Sequence, residues 1–125
     1  MLIDTDVVIW FMRGNQRAAD ALDRLEDFSI SAVTYMELVQ GMRNKRELQA
    51  MRQTLSHWQC PILPIDGAIS NQAMFYVEQH FHKSSLRLAD ALIGATAIIH
   101  GLPLLTANVR HYRMLGELTV RQFKP

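Results

Sequence analysis

The stretch LRLADALIGATAIIHGLPLLT, residues 86–106, carries a helix, its stop and a buried strand in one run. From Leu86 to about His100 it is apolar nearly all round and rich in Ala and Gly, as expected of a helix packed between neighbours. Gly101 and Pro103 end that helix. Leu104 and Leu105, closed by Thr106, then read as a short buried strand. A helix that delivers the chain straight into a buried strand is the second half of a strand–helix–strand unit. The rest of the chain has to supply the other strands.

It does so by alternation. Residues 1–4, Phe28–Ser31 and Pro61–Ile65 read as short strands, with a last one near Leu118–Val120. Between them lie helical periods. Residues 15–27 turn Ala18, Leu22 and Leu25 inward, and Thr34–Gln40 stops at Gly41. Glu47–Trp58 is apolar at Leu48, Met51 and Leu55, and a further helix capped by Asp66 carries Ile69, Ala73, Val77 and Phe81. Met36, Met42, Met51 and Met74 are expected to fill core. KSSLR supplies a loop and cap before residue 86. No repeat or low-complexity tract interrupts the pattern. Strands alternating with helices imply an α/β fold with a mostly parallel sheet covered on both faces. In such sheets the site lies beyond the carboxyl ends of the strands.

The 125 residues are enough for one domain spanning 1–125. With 49% apolar and 20% charged residues, the composition is that of a globular protein. A net charge of +1 does not mark a nucleic-acid binder, but the charges are segregated. Arg43, Lys45, Arg46 and Arg52 cluster, as do Arg110, His111, Arg113, Arg121 and Lys124, while Asp20, Asp23, Glu26 and Asp27 fall together. Cys60 stands alone, so neither a disulfide framework nor a Cys-based zinc site is available. Polar residues break the longest apolar tract, so no bilayer span is expected, and the chain reads as cytoplasmic.

Three acids stand in apolar surroundings: Asp4 in MLIDTD, Glu37 in AVTYMELVQG and Asp90 in LRLADALIGATA. An ionised carboxylate is rarely buried unless paired or bound to a cation. Asp4 ends the first strand, and Glu37 lies in the helix after the second. Asp90 lies in the first turn of the helix that leads into the fourth strand. All three therefore belong to the carboxyl edge of the sheet. Singly they read as a turn former, a solvent-facing helix residue and a dipole-favoured acid. Together they form a set of oxygen donors suited to Mg²⁺ or Mn²⁺ and to phosphoryl cleavage.

LIDTDVVIW, ISAVTYMELVQG, LRLADALIGATAIIHGLPLLTANVRHY and ELTVRQF, in this order and at this length, resemble the PIN-domain ribonucleases, and among them the VapC-type toxins of toxin–antitoxin pairs. The resemblance implies a three-layer α/β/α sandwich with a sheet of about five strands. It also implies a Mg²⁺- or Mn²⁺-dependent endoribonuclease inhibited by a VapB-type antitoxin, acting as a homodimer on RNA. It makes Asp4, Glu37 and Asp90 the catalytic, metal-binding acids. Thr5, Asp6, Thr106 and Asn108 would orient water or ligands around them. Two departures stand out. Asp6 occupies a place where family members often carry Asn, and TANVRHY offers Asn108 and His111 where a fourth acid is often found.

Other readings are weaker. Asp4-Thr5-Asp6 resembles the nucleophile pair of aspartyl phosphatases, but Glu117 is the one acid after Asp90, so the later acidic motif is missing. A PIN-like binding module that has lost cleavage is the alternative that the absent fourth acid raises. His80 and His82 do not share a helix face, which argues against a metal pair. Trp10 and Phe11 read as core or dimer contacts, and Arg87 and Arg110 as solvated charges.

Overall fold

The computed structural model describes residues 1–83 and 86–125. Its elements run β1 (Leu2–Ile3), α1 (Thr5–Met12), α2 (Gln16–Asp23), β2 (Ile30–Ser31), α3 (Ala32–Gln40) and α4 (Lys45–His57). They continue with β3 (Ile62–Leu63), α5 (Gly67–His80), a 3₁₀ turn at Phe81–Lys83, α6 (Leu88–Ile99), β4 (Leu104–Thr106), α7 (Val109–Tyr112) and β5 (Val120–Gln122). The loop and cap read in KSSLR fall in part on residues 84–85, outside the described residues.

Every strand pairing is parallel. β1 pairs β4 with Leu2 opposite Leu104, β4 pairs β5, and β2 pairs β3. A single bridge, Leu2 to Ser29, ties the two groups together. The spatial order is therefore β3-β2-β1-β4-β5. Successive strand residues face opposite sides of a sheet, and the apolar clusters follow that alternation. Ile3, Ile30 and Leu105 pack with α1, α2 and α4, whereas Leu2 and Leu104 pack with α5, α6 and α7. Two cores on two faces make the expected three-layer α/β/α sandwich. Fully burying one such Ile or Leu contributes roughly 1.5–3 kcal/mol.

Local signals set the element ends that matter for the site. Asp66 caps α5 by accepting from the Ile69 amide at 2.9 Å, and Gly41 closes α3. Gly101 takes a φ of +65° where the chain leaves α6 for β4, a left-handed turn that costs glycine little. α6 packs closely against the segment that follows α7 because Gly94 has no side chain: a Cβ there would meet Leu115 Cδ1 at 2.5 Å.

Several expectations need correction. α1 and α7 are helices that the sequence pattern does not announce. Val7-Val8-Ile9 is a β-branched run with poor helix propensity, yet Asp4 caps it and burial of Val7 and Val8 holds it helical. The helix expected over 15–27 stops at Asp23, and β5 begins at Val120, not Leu118. Met36 and Met74 are exposed, and so is Phe81 at 77%. Only Met51 of the four methionines is fully buried, with Met42 packed at the core margin. Trp10 and Phe11 do lie against the core.

Candidate active site

Asp4 leaves β1 and turns the chain into α1. Its Oδ1 accepts from the Thr5 amide at 2.8 Å, while its Oδ2 accepts from the Thr106 hydroxyl at 2.7 Å and the Tyr112 hydroxyl at 3.1 Å. The Asp4 amide in turn donates to Leu105 O at 3.0 Å. Asp4 is 5% exposed, and burial, reinforced by the charge of Asp6, pushes its carboxyl up to about 7. The three donors oppose that rise without overcoming it.

Asp6, one residue into α1, accepts from the Ala107 amide at 2.9 Å, with the Thr106 hydroxyl 3.4 Å away. Its other oxygen, Oδ1, is buried and has no hydrogen-bond partner among the described residues. Desolvation raises its carboxyl as well, against the pull of the Ala107 amide. A buried carboxylate oxygen without a donor costs free energy unless a cation or water meets it.

Asp90 sits in the first turn of α6, where its Oδ2 accepts from the Arg87 amide at 3.3 Å. His111 Nδ1 lies 3.5 Å from the same oxygen, with both side chains partly exposed. Burial raises the Asp90 carboxyl, and the Arg87 amide and the charge of His111 lower it. Tyr112 unites the group. Its buried hydroxyl is pushed far up, first by burial and then by the charges of Asp4, Asp90 and Asp6. Glu37 joins from α3: its Oε1 accepts from the Thr5 hydroxyl at 2.8 Å, and the same hydroxyl shares a 2.9 Å hydrogen bond with Thr34. Glu37 is exposed at the rim.

Hydrogen bonds therefore join Asp4, Thr5, Asp6, Glu37 and Thr106 at one edge of the sheet, while Asp90 meets that group through His111, the neighbour of Tyr112. Asn108 takes part through its backbone, donating its amide to Thr106 Oγ1 at 2.9 Å, and its side chain is exposed. Tyr112, Thr34 and the Ala107 amide went unread. Tyr112 follows His111 in a one-turn helix, and no period that short announces itself in a sequence. Among the described residues no three Asp, Glu, His or Cys side chains are gathered closely enough to hold an ion as they stand. His80 is buried with neither ring nitrogen bonded among the described residues, while His82 is exposed, so the two form no site together.

The donor chemistry fits a hard divalent cation. The acids offer carboxylate oxygens with hydroxyl neighbours, one buried oxygen lacks a donor, and three carboxyls are raised by burial.

The PIN domain model matches residues 1–116. This chain belongs to the PIN domain family. Among curated relatives of this PIN domain is a Mycobacterium tuberculosis protein named Ribonuclease VapC10, 32% identical over 122 residues, covering 94% of this chain and 90% of the relative. Another from the same organism, Ribonuclease VapC19, is 33% identical over 123 residues, covering 94% and 95%. Among solved structures, a toxin–antitoxin complex from Klebsiella pneumoniae superposes with a TM-score of 0.81 at 27% identity, covering 98% of both chains. A DNA-bound VapBC from Salmonella typhimurium has the same fold, with a TM-score of 0.83 at 18% identity, covering 97% of this chain and 96% of that one.

Proposed function

We propose that this PIN domain is a metal-dependent endoribonuclease, the toxin of a toxin–antitoxin pair, with Asp4, Glu37 and Asp90 as its catalytic acids and Mg²⁺ or Mn²⁺ as its cofactor. One observation carries the reading. Asp4 accepts from the Thr106 and Tyr112 hydroxyls, Asp6 from the Ala107 amide, and Asp90 lies against His111, the neighbour of Tyr112, all at the carboxyl edge of a parallel sheet. They do so in a chain about one-third identical to named ribonucleases along nearly its whole length.

Asp4, Glu37 and Asp90 would hold the cation. When bound, it supplies charge neutralisation on a phosphodiester and a more acidic water. The chain's own groups prepare for this. Thr106 and Tyr112 fix Asp4 Oδ2, the Ala107 amide fixes Asp6, and Thr5 holds Glu37 at the rim. Hydroxyl and amide donors orient these oxygens without cancelling their charge. Asp4 retains its proton up to about pH 7 and must release it before it can serve as an ionised oxygen donor.

The partner is a VapB-type antitoxin. A groove of about 570 Å³ beside the site, lined by Ile9, Met12, Arg13, Glu37, Leu38 and Met42, has the apolar floor and charged rim that an amphipathic segment needs. An Arg from that segment would pair with the carboxylates in place of metal. Exposed Met74, Phe75, Phe81 and Leu88 support a homodimer. Among the described residues no helix is long and apolar enough to cross a membrane.

RNA cleavage with Mg²⁺ or Mn²⁺, against EDTA and an Asp4→Asn control, tests the enzyme. Cleavage that survives both EDTA and the substitution overturns the reading. The spacing of the acids, no three of which gather closely enough for an ion among the described residues, favours one other function, a binding module without cleavage; RNA binding with no cleavage in either metal would establish it. The partner complex should cleave more slowly than the free protein.

A further inference from the structure

Among the described residues one imidazole lies against the acidic edge. His111 lies in α7 between Arg110 and the buried Tyr112, whose hydroxyl is anchored to Asp4 Oδ2. That anchor fixes the one-turn helix against the sheet edge, and it carries the His111 ring to Asp90, with Nδ1 3.5 Å from Oδ2. This separation is long for a hydrogen bond. Nor does the pair close on itself: the side chains keep 33% and 14% of their surface exposed. Among the described residues His111 is the only ion-pairing partner of Asp4, Asp6, Glu37 or Asp90. A basic group beside a cation site either competes with the cation or ligates it. Lysine and arginine can only compete at neutral pH, whereas imidazole has a lone pair to give.

We propose that His111 is a nitrogen ligand to the cation held by Asp4 and Asp90, so that the site prefers a first-row transition-metal ion, with Mn²⁺ as the test case, over Mg²⁺. This rests on the acids being a cation site. Mg²⁺ is hard, keeps its waters and favours oxygen. First-row transition ions accept imidazole alongside carboxylate. A site of oxygens alone would have no reason to discriminate strongly between Mg²⁺ and Mn²⁺. One imidazole changes that balance; among the described residues no three such side chains are gathered closely enough for an ion as they stand, so Asp4, Asp90 and His111 would have to draw together on binding.

Metal binding, read without RNA, tests the proposal. Mn²⁺ affinity is measured by electron paramagnetic resonance of the free ion, and Mg²⁺ affinity by its competition against Mn²⁺. In the unaltered chain, pulsed resonance of bound Mn²⁺ should show the modulation of a directly coordinated nitrogen. His111→Ala should abolish that modulation and weaken Mn²⁺ about tenfold, with Mg²⁺ changed less than about twofold. His111→Asp, which offers oxygen in place of nitrogen, should tighten Mg²⁺ binding relative to the unaltered chain and erase the preference. Equal losses for both ions, or no loss for either, would overturn the proposal. Tighter binding of both ions by His111→Ala would instead make His111 a competing counter-charge and overturn it too. If the unaltered chain binds neither ion, the cation-site reading itself has failed, an outcome distinct from all of these.

Discussion

Asp4 should make the metal-free protein lose stability as pH rises, and Asp4→Asn should remove most of that loss. Above pH 3.8 the unfolded chain releases the Asp4 proton, whereas the folded protein keeps it up to about pH 7. Across that window the folded state binds more protons, so stability falls with rising pH, and the loss is complete above the folded value. At about 1.4 kcal/mol per pH unit the total is ~4 kcal/mol. Asp6 and Asp90, also raised by burial, add to it with the same sign. An Asn at position 4 cannot ionise. Its amide can donate to the Thr106 and Tyr112 oxygens, at a cost of about 1 kcal/mol for imperfect hydrogen bonding. The two stability curves should therefore cross. Near pH 4.5 the variant should be equal or slightly less stable; at pH 8 it should be more stable by roughly 2–3 kcal/mol, a melting shift on the order of 10 °C. Urea and thermal melts in EDTA from pH 4.5 to 8, at constant ionic strength, measure this. Parallel pH profiles would show that Asp4 is not the desolvated acid the structure describes.

Mn²⁺ or Mg²⁺ added at pH 8 should raise the melting temperature of the unaltered protein and leave that of Asp4→Asn nearly unmoved, since a ligand stabilises only the state that binds it; an equal rise in both would place the binding elsewhere. Tyr112→Phe removes a donor from Asp4 Oδ2, so it should cost about 1–2 kcal/mol above pH 7, where Asp4 is ionised, and less near pH 5; a pH-independent cost would mean that lost packing, not the hydrogen bond, is responsible. Gly94→Ala forces a Cβ toward Leu115 Cδ1, and overpacking of about 1–3 kcal/mol outweighs a gain of about 1 kcal/mol in helix propensity; a variant more stable in urea would show that Leu115 swings aside freely.

Much of this architecture was legible because it is written in burial. The all-round apolar α6, the short runs at Leu2–Ile3 and Leu104–Thr106 and the caps at Asp66 and Gly41 carry local signals that match their final places. α1 was hidden because its β-branched run argues against helix, and only packing of Val7 and Val8 under the sheet reverses that preference. α7 was hidden by its length. At the site, carboxylates in apolar segments stood out as chemical anomalies, whereas a tyrosine in a basic stretch did not. Nothing in RHYRM distinguishes Tyr112, with its hydroxyl on Asp4, from a tyrosine packed by its ring alone. Partnership between residues 108 positions apart is a property of topology.

That topology makes the site a consequence of strand register. Leu2 lies opposite Leu104 and Ile3 opposite Leu105, so Asp4 and Thr106 leave neighbouring strands at the same level, and the Thr106 hydroxyl reaches Asp4 Oδ2 at 2.7 Å. Slipping β4 by one residue would turn Thr106 to the other face and put Leu105 or Ala107 beside the acid. The same slip would exchange Leu104 and Leu105 between the two cores, which the apolar packing on both faces forbids. The cores thus hold the register, and the register holds the acids. What meets those acids is mostly neutral: two threonine hydroxyls, a tyrosine hydroxyl and backbone amides. Lysine or arginine there would have paired with the carboxylates and held them ionised. Neutral donors aim the oxygens without cancelling their charge, so burial raises the carboxyls of Asp4, Asp6 and Asp90 toward their protonated forms; in the proposed function a divalent cation would take the place of those protons.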